Sequence, residues 1–271
     1  MNGASREALA AARERLDALT DNTSVDAAKL ADELAAVTAL LDREVSLRRV
    51  LTDPAQPGEA KAQLVTRVLS GQIGGETLDL VSGMVRSRWS GSRDLVDVLE
   101  ELAATADLTA AQRSGALDEV EDELFRFGRI VADNKELRSA LTDRTAVTAA
   151  KTTLLHTLLG GKVNPVTERL VGRLVGAPRG RSLEAGLESL SKLAADRRNR
   201  MVAVVTSAVP LSDTQKQRLG GVLARLYGRD MHLNLDVDPA VIGGIEVRVG
   251  DEVISGSIAE RLADATRRLA G

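Results

Sequence analysis

The sequence predicts a mainly α N-terminal region, a duplicated helical bundle, followed by a small α/β C-terminal domain with a mixed sheet. Three observations predict it. Apolar residues recur at three- and four-residue steps from the first turns to about residue 198, the mark of amphipathic helices. Leu47-Arg48-Arg49-Val50-Leu51-Thr52-Asp53 returns ninety residues later as Leu137-Arg138-Ser139-Ala140-Leu141-Thr142-Asp143. Beyond Arg200 the apolar period changes to the alternation of half-buried strands.

The repeat is extensive. Residues 26–86 laid on 116–176 without a gap match at 17 of 61 positions, where unrelated Ala/Leu-rich stretches would share about 5. Matches include Asp32-Glu33-Leu34 with Asp122-Glu123-Leu124, Ala60-Lys61 with Ala150-Lys151, and Leu80-Val81 with Leu170-Val171. A slip of two residues then brings Arg93-Asp94-Leu95 onto Arg181-Ser182-Leu183. In the first copy Leu30, Leu34, Val37, Leu40 and Leu41 define one helix face; in the second Leu117, Val120, Leu124, Phe127, Ile130 and Val131 do so. Asp53-Pro54 predicts a fresh helix start, with Asp as the cap and Pro in the first turn. Gly71 and Gly160-Gly161 predict helix ends. By ordinary helix lengths residues 1–198 hold about ten to twelve helices.

The tail is read in order. Met201 to Val205 is a β-branched run that Pro210 closes. Ser212-Asp213-Thr214-Gln215 is a capping box opening a helix through Leu219, Leu223 and Leu226, which Gly228 ends. Met231, Leu233, Leu235 and Val237 alternate with polar residues, as do Ile245, Val247 and Val249. Gly250-Asp251 predicts a hairpin turn into Val253-Ile254. Ser257-Ile258-Ala259-Glu260 predicts a terminal helix with Ile258, Leu262 and Leu269 on its apolar face. The expected division is residues 1–110 and 111–198 for the helical copies, and 199–271 for the tail.

Composition narrows the chemistry. The 271 residues carry no cysteine and two histidines, which removes disulfides, thiol nucleophiles, cysteine-ligated metals and three-histidine sites. Thirty-six basic residues nearly balance 39 acidic ones, and four aromatics give little for nucleotide bases to stack on. No nucleic acid partner and no cofactor is therefore expected. The opening residues carry charge where a signal peptide needs an apolar stretch, and the longest apolar-leaning run, Met201–Leu211, is too short to cross a bilayer.

Local motifs weigh toward structure. Gly161-Lys162 lacks the upstream glycine and the following hydroxyl of a phosphate loop, because His156 and Val163 occupy those positions. Gly71 to Gly75 and Gly243-Gly244 read as turns. His156 and His232 have no partner at ligand spacing. The acidic cluster Asp118-Glu119-Glu121-Asp122-Glu123 reads as a solvated helix face, and Arg197-Arg198-Asn199-Arg200 as a solvated helix end. Ser207 and Ser212 lack a base. Nothing here assembles a reactive centre.

Three segments then stand out together: Val202 to Ser212, Asp238-Pro239-Ala240-Val241-Ile242-Gly243-Gly244-Ile245, and Gly250-Asp251-Glu252-Val253-Ile254-Ser255-Gly256-Ser257-Ile258 with Arg261-Leu262. In order and spacing they resemble the delta subunit family of F-type ATP synthases, whose mitochondrial member is the oligomycin-sensitivity-conferring protein. Asn134 to Lys162 is similar to the family's helical domain. This chain is longer by about one repeat, and Ser255 stands where the family usually has Asp. The resemblance implies a non-catalytic subunit of the peripheral stalk. Its helical domain binds N-terminal segments of alpha subunits on the catalytic head, and its tail holds the C-terminal end of the b-type stalk. It thereby resists rotor torque at the cytoplasmic face of the cell membrane, without inserting into the membrane. Carried onto this sequence, the resemblance puts partner contacts at Leu9, Leu16 and Leu19 and at Ile245, Val253, Ile254, Ile258 and Leu262. The competing reading is a free-standing helical-repeat adaptor.

Overall fold

The computed structural model describes residues 2–22, 24–143, 145–199, 201–227, 231–238, 241, 244–249 and 252–255. The chain divides into two compact units, residues 1–197 and 198–271.

Among the described residues the first unit is built on α1 (Gly3–Asp21), α2 (Ala27–Arg43), α3 (Val45–Thr52), α4 (Gly58–Leu69), α5 (Gly75–Arg86), α6 (Ser92–Arg113), α7 (Leu117–Asp133), α8 (Lys135–Thr142), α9 (Thr148–Leu159), α10 (Pro165–Gly176) and α11 (Leu183–Asn199), which ends just past it. Helices α2 to α5 map onto α7 to α10 at both ends with one offset of ninety residues. The same offset carries α1 onto residues 93–111, inside α6. Helix α6 thus closes the first copy and opens the second. Its side chains say the same: Leu95, Leu99, Leu102 and Ala106 belong to the first core, whereas Ala104, Leu108 and Ala111 belong to the second. Two apolar cores are therefore threaded on one 22-residue helix.

The caps follow the sequence in part. Asp26 accepts from the Ala28 and Lys29 amides at 2.9 and 3.1 Å, opening α2. Asn164 accepts from the Val166 amide at 3.0 Å with Pro165 in the first turn of α10. Gly71 and Gly161 take φ of +78° and +69° just past α4 and α9, a left-handed conformation that costs glycine least because it has no Cβ. Asp53 corrects the sequence reading: it starts no helix. Its carboxylate accepts from the Ala55 amide at 2.9 Å, an Asx turn, and α4 begins at Gly58 behind Pro57. Asp143 repeats the turn with the Thr145 amide at 2.8 Å. Ile130 is a second correction, being 54% exposed on α7 rather than in its core face.

The second unit carries β1 (Met201–Ser207), α12 (Asp213–Tyr227), β2 (Met231–Val237), β3 (Ile245–Val249) and β4 (Glu252–Ser255). Strand order is β2-β1-β3-β4, with β1 parallel to β2 and both other pairs antiparallel, a mixed sheet. The parallel pair requires a crossover, which α12 supplies. The capping box forms as read: the Ser212 amide donates to Gln215 Oε1 at 2.8 Å and the Gln215 amide to Ser212 Oγ at 3.3 Å. Val205 lies opposite Leu235 and Val247, and among the described residues the core holds Val205, Leu223, Val247 and Val249. Leu226 departs from the expected helix face and is 64% exposed. Leu235 and Val237, near the end of edge strand β2, are also exposed. Val249 pairs with Glu252, as a hairpin requires. Gly228, Gly243, Gly250-Asp251 and the terminal segment with Ile258, Leu262 and Leu269 lie outside the described residues, as does the side chain of His232.

Candidate interaction surfaces

The duplicated fold repeats its polar devices as well as its helices. Glu33, half-buried on α2, accepts from the Gly74 amide at 3.0 Å and from Thr77 Oγ1, capping α5. Ninety residues on, Glu123 on α7 accepts from the Asn164 amide at 3.0 Å and from Thr167 Oγ1 at 2.5 Å, capping α10. A carboxylate at a helix N-terminus meets both free amides and the positive end of the helix dipole. Arg48 reaches back to the Leu41 carbonyl at 3.1 Å at the end of α2, and Arg138 to the Ala132 carbonyl at 3.2 Å at the end of α7.

Between the two cores of the first unit runs a cleft of about 1580 Å³, floored by Ala35, Ala39, Val96, Leu170, Leu174 and Leu193 and rimmed by charge. On α6 below it Asp107 is fully buried, with Arg169 at 3.0 Å and Arg173 in contact. Burial pushes the Asp107 carboxyl above its ordinary range, and the two guanidinium groups oppose that push. Asp97 is raised for the same reason, with Arg179 opposing. His156 meets Glu168 at 2.5 Å across α9 and α10. Lys162 donates to the Thr157 and Leu158 carbonyls, closing α9 rather than gripping phosphate. Among the described residues no group of three or more His, Asp or Glu side chains is placed to hold a metal ion. Nor is any described helix long and apolar enough to cross a membrane.

Two charged segments are more engaged than their sequence suggested. Glu123 is a cap, Glu119 accepts from Asn164 Nδ2 at 3.2 Å, and Asp122 pairs with Arg126 within α7. Arg197 pairs with Asp17 at 3.0 Å and donates to Gln112 at 2.8 Å, so it is no solvated helix end.

Leu16 is fully buried, and Leu9 and Leu19 pack half-buried against the first core; α1 is wedged there by its own apolar face. Ile245 and Ile254 pack half-buried against the tail core. Val253, opposite Arg248 on the other sheet face, is 50% exposed. The larger open apolar side chains in the second helical copy are Phe125 at 58% exposure, Ile130, Val147 and Leu158. Sequence periodicity did not single these out as a surface, because a helix face alone does not tell which neighbours cover it.

Comparison with known proteins bears on this geometry. The family model for the ATP synthase delta (OSCP) subunit matches residues 103–269, from the middle of α6 onward. It thus takes in the second helical copy and the tail, and leaves the first copy outside. ATP synthase subunit delta of Streptomyces griseus is 80% identical over 271 residues, covering all of both chains. The same subunit of Streptomyces coelicolor is 77% identical over 270 residues, covering all of this chain and 98% of its own. That of Thermobifida fusca is 49% identical over 271 residues, again covering all of both. A chain in the mitochondrial ATP synthase hexamer of Toxoplasma gondii is 24% identical with a TM-score of 0.29, and 62% of this chain and 95% of that one are covered. With nearly full-length identity of this order, the chain belongs to the ATP synthase delta (OSCP) subunit family, as a part of that multisubunit assembly rather than an enzyme in its own right.

Proposed function

We propose that the chain is a stator subunit: it links the catalytic head to the b-type stalk and resists rotor torque, so that ion translocation is coupled to ATP synthesis. The observation that carries this reading is the family match beginning inside α6, because it takes in α7 to α11 of the second lobe and the tail together. In the reading, helical lobes receive N-terminal segments of alpha subunits, and the tail receives the C-terminal end of the b-type subunits. Open apolar side chains on α7 and α9 suit an amphipathic helix laid into a groove, and Val253 beside Ile254 offers the tail's counterpart. The chain would sit peripherally on the cytoplasmic face of the cell membrane. Residues 1–110, 111–198 and 199–271 are taken as its working divisions, with α6 counted in both helical lobes.

The test is reconstitution onto ATP synthase stripped of this subunit, read as ATP-driven ion pumping. The full chain restores pumping, and a chain ending at residue 198 keeps the head contact but restores none. Equal pumping with and without the tail would sink the proposal and leave the adaptor reading in its place.

A further inference from the structure

The two helical lobes meet across a cleft, yet they are fastened along α6 by charge. Near the start of α6, Arg179 from the loop between α10 and α11 donates to the Val96 carbonyl at 3.3 Å and pairs with Asp97 at 3.1 Å and with Glu100. Arg181 reaches the same Glu100 at 2.6 Å. These carboxylates sit on the half of α6 whose apolar side chains, Leu95 and Leu99, fill the first core. Arg173 of α10 adds a direct strut to Asp32 of α2 at 2.6 Å.

The loop carries a second mark. Arg179 has φ of +47°, the one such value at a non-glycine residue among the described residues, followed by Gly180 at +82°. Side chains other than glycine rarely adopt that conformation, and it persists only where surrounding contacts hold it. Its guanidinium is nearly buried. The equivalent loop of the first lobe is held differently. There Trp89 occupies the matching position, buried, and donates to the Met84 carbonyl at 2.9 Å. The Ser90 amide donates to Ser5 Oγ of α1 at 2.8 Å. An apolar plug in one copy has become a charged clasp in the other.

We propose that the loop of residues 177–182 is a latch: Arg179 and Arg181, closing on Asp97 and Glu100, lock the second lobe to the first so that both move as one rigid arm. The purpose of such an arm rests on the stator reading; its rigidity rests on the geometry alone. The chain lacks cysteine, so cysteines introduced at exposed Gln63 on α4 and at its repeat equivalent Thr153 on α9 can carry spin labels without interference. In the full chain the interspin distance distribution is narrow. In Asp97→Asn/Glu100→Gln it broadens, and the Arg181 amide, which donates to the Pro178 carbonyl at 3.0 Å, exchanges about tenfold faster, as expected when a charge-assisted contact is lost. An unchanged distribution together with unchanged exchange overturns the latch and leaves α6 alone as the fastener. Should that variant lose its helical circular dichroism, Arg179→Gly gives the same readouts, because glycine accepts the positive φ while removing the clasp. The measurement uses the chain by itself, so a failure to bind the stalk would strike the stator reading and leave the latch standing.

Discussion

At the scale of single residues, the repeated carboxylate caps make the sharpest expectations. Replacing Glu33 or Glu123 by Ala leaves an amide and a threonine hydroxyl at a helix start without their acceptor, at a cost of about 1–2 kcal/mol for each variant. Urea unfolding of each variant checks the figure, and the equal cost in both copies is the informative part. Asp107 tests the sign of burial. Its folded carboxyl titrates above the ordinary 3.8. The folded state therefore binds the proton more readily, and the contribution is greatest below that value and fades as pH rises through the folded value. Asp107→Asn should gain ground on the parent as pH rises above the ordinary carboxylate range in chemical denaturation; a gap that moves the other way would show the two arginines outweighing burial. The matched Asp-Glu-Leu triplets were legible in the sequence, but not what Glu33 and Glu123 do. The amides they cap lie 41 residues further along, on another helix.

At the scale of elements, helix positions and ends were largely written in the chain. The ninety-residue offset, the glycine stops after α4 and α9, the Ser212–Gln215 box and the positions of the strands all appear where periodicity placed them, although Leu235 and Val237 of β2 stand open. Faces were less legible. Ile130 and Leu226 fit their helical stripes yet stand open, because a stripe states what could be buried and the neighbouring elements decide what is. Three glycines separate these effects in one experiment. A Cβ at Gly186 of α11 would lie 2.4 Å from Leu174 of α10, so Gly186→Ala should cost about 1–3 kcal/mol through overpacking. At Gly128 of α7 the nearest atom, on Leu187, is 3.9 Å away, so alanine should stabilise by about 0.5–1 kcal/mol through helix propensity. At Gly83 of α5 the obstacle is the mobile tip of Arg15 at 2.7 Å, which swings aside and gives up an exposed pair with Asp79, for a net change near zero. Thermal melts should place Gly186→Ala lowest, Gly83→Ala near the parent and Gly128→Ala highest.

At the scale of the molecule, the shared helix decides how the chain can be cut. A fragment starting at residue 91 keeps α6 and should retain a helical second lobe. It exposes Leu95, Leu99 and Leu102 from the lost first core, so it should self-associate in size-exclusion chromatography. A fragment starting at 111 loses Leu108 from the second core together with the partner of Arg169 and Arg173, and its helical signal should collapse. Comparable helicity in both fragments would mean that α6 is not common to the two lobes. The sequence hid this arrangement, since a division at residues 110 and 111 counts each residue once and gives nearly all of α6 to the first copy. There is a geometrical corollary. Two bodies strung on one continuous rod are indexed to each other by its pitch. Each residue added to or taken from the middle of α6 would swivel one lobe about the other by about 100° and shift it by about 1.5 Å. The residue count of that rod is therefore the setting that decides which way each lobe points.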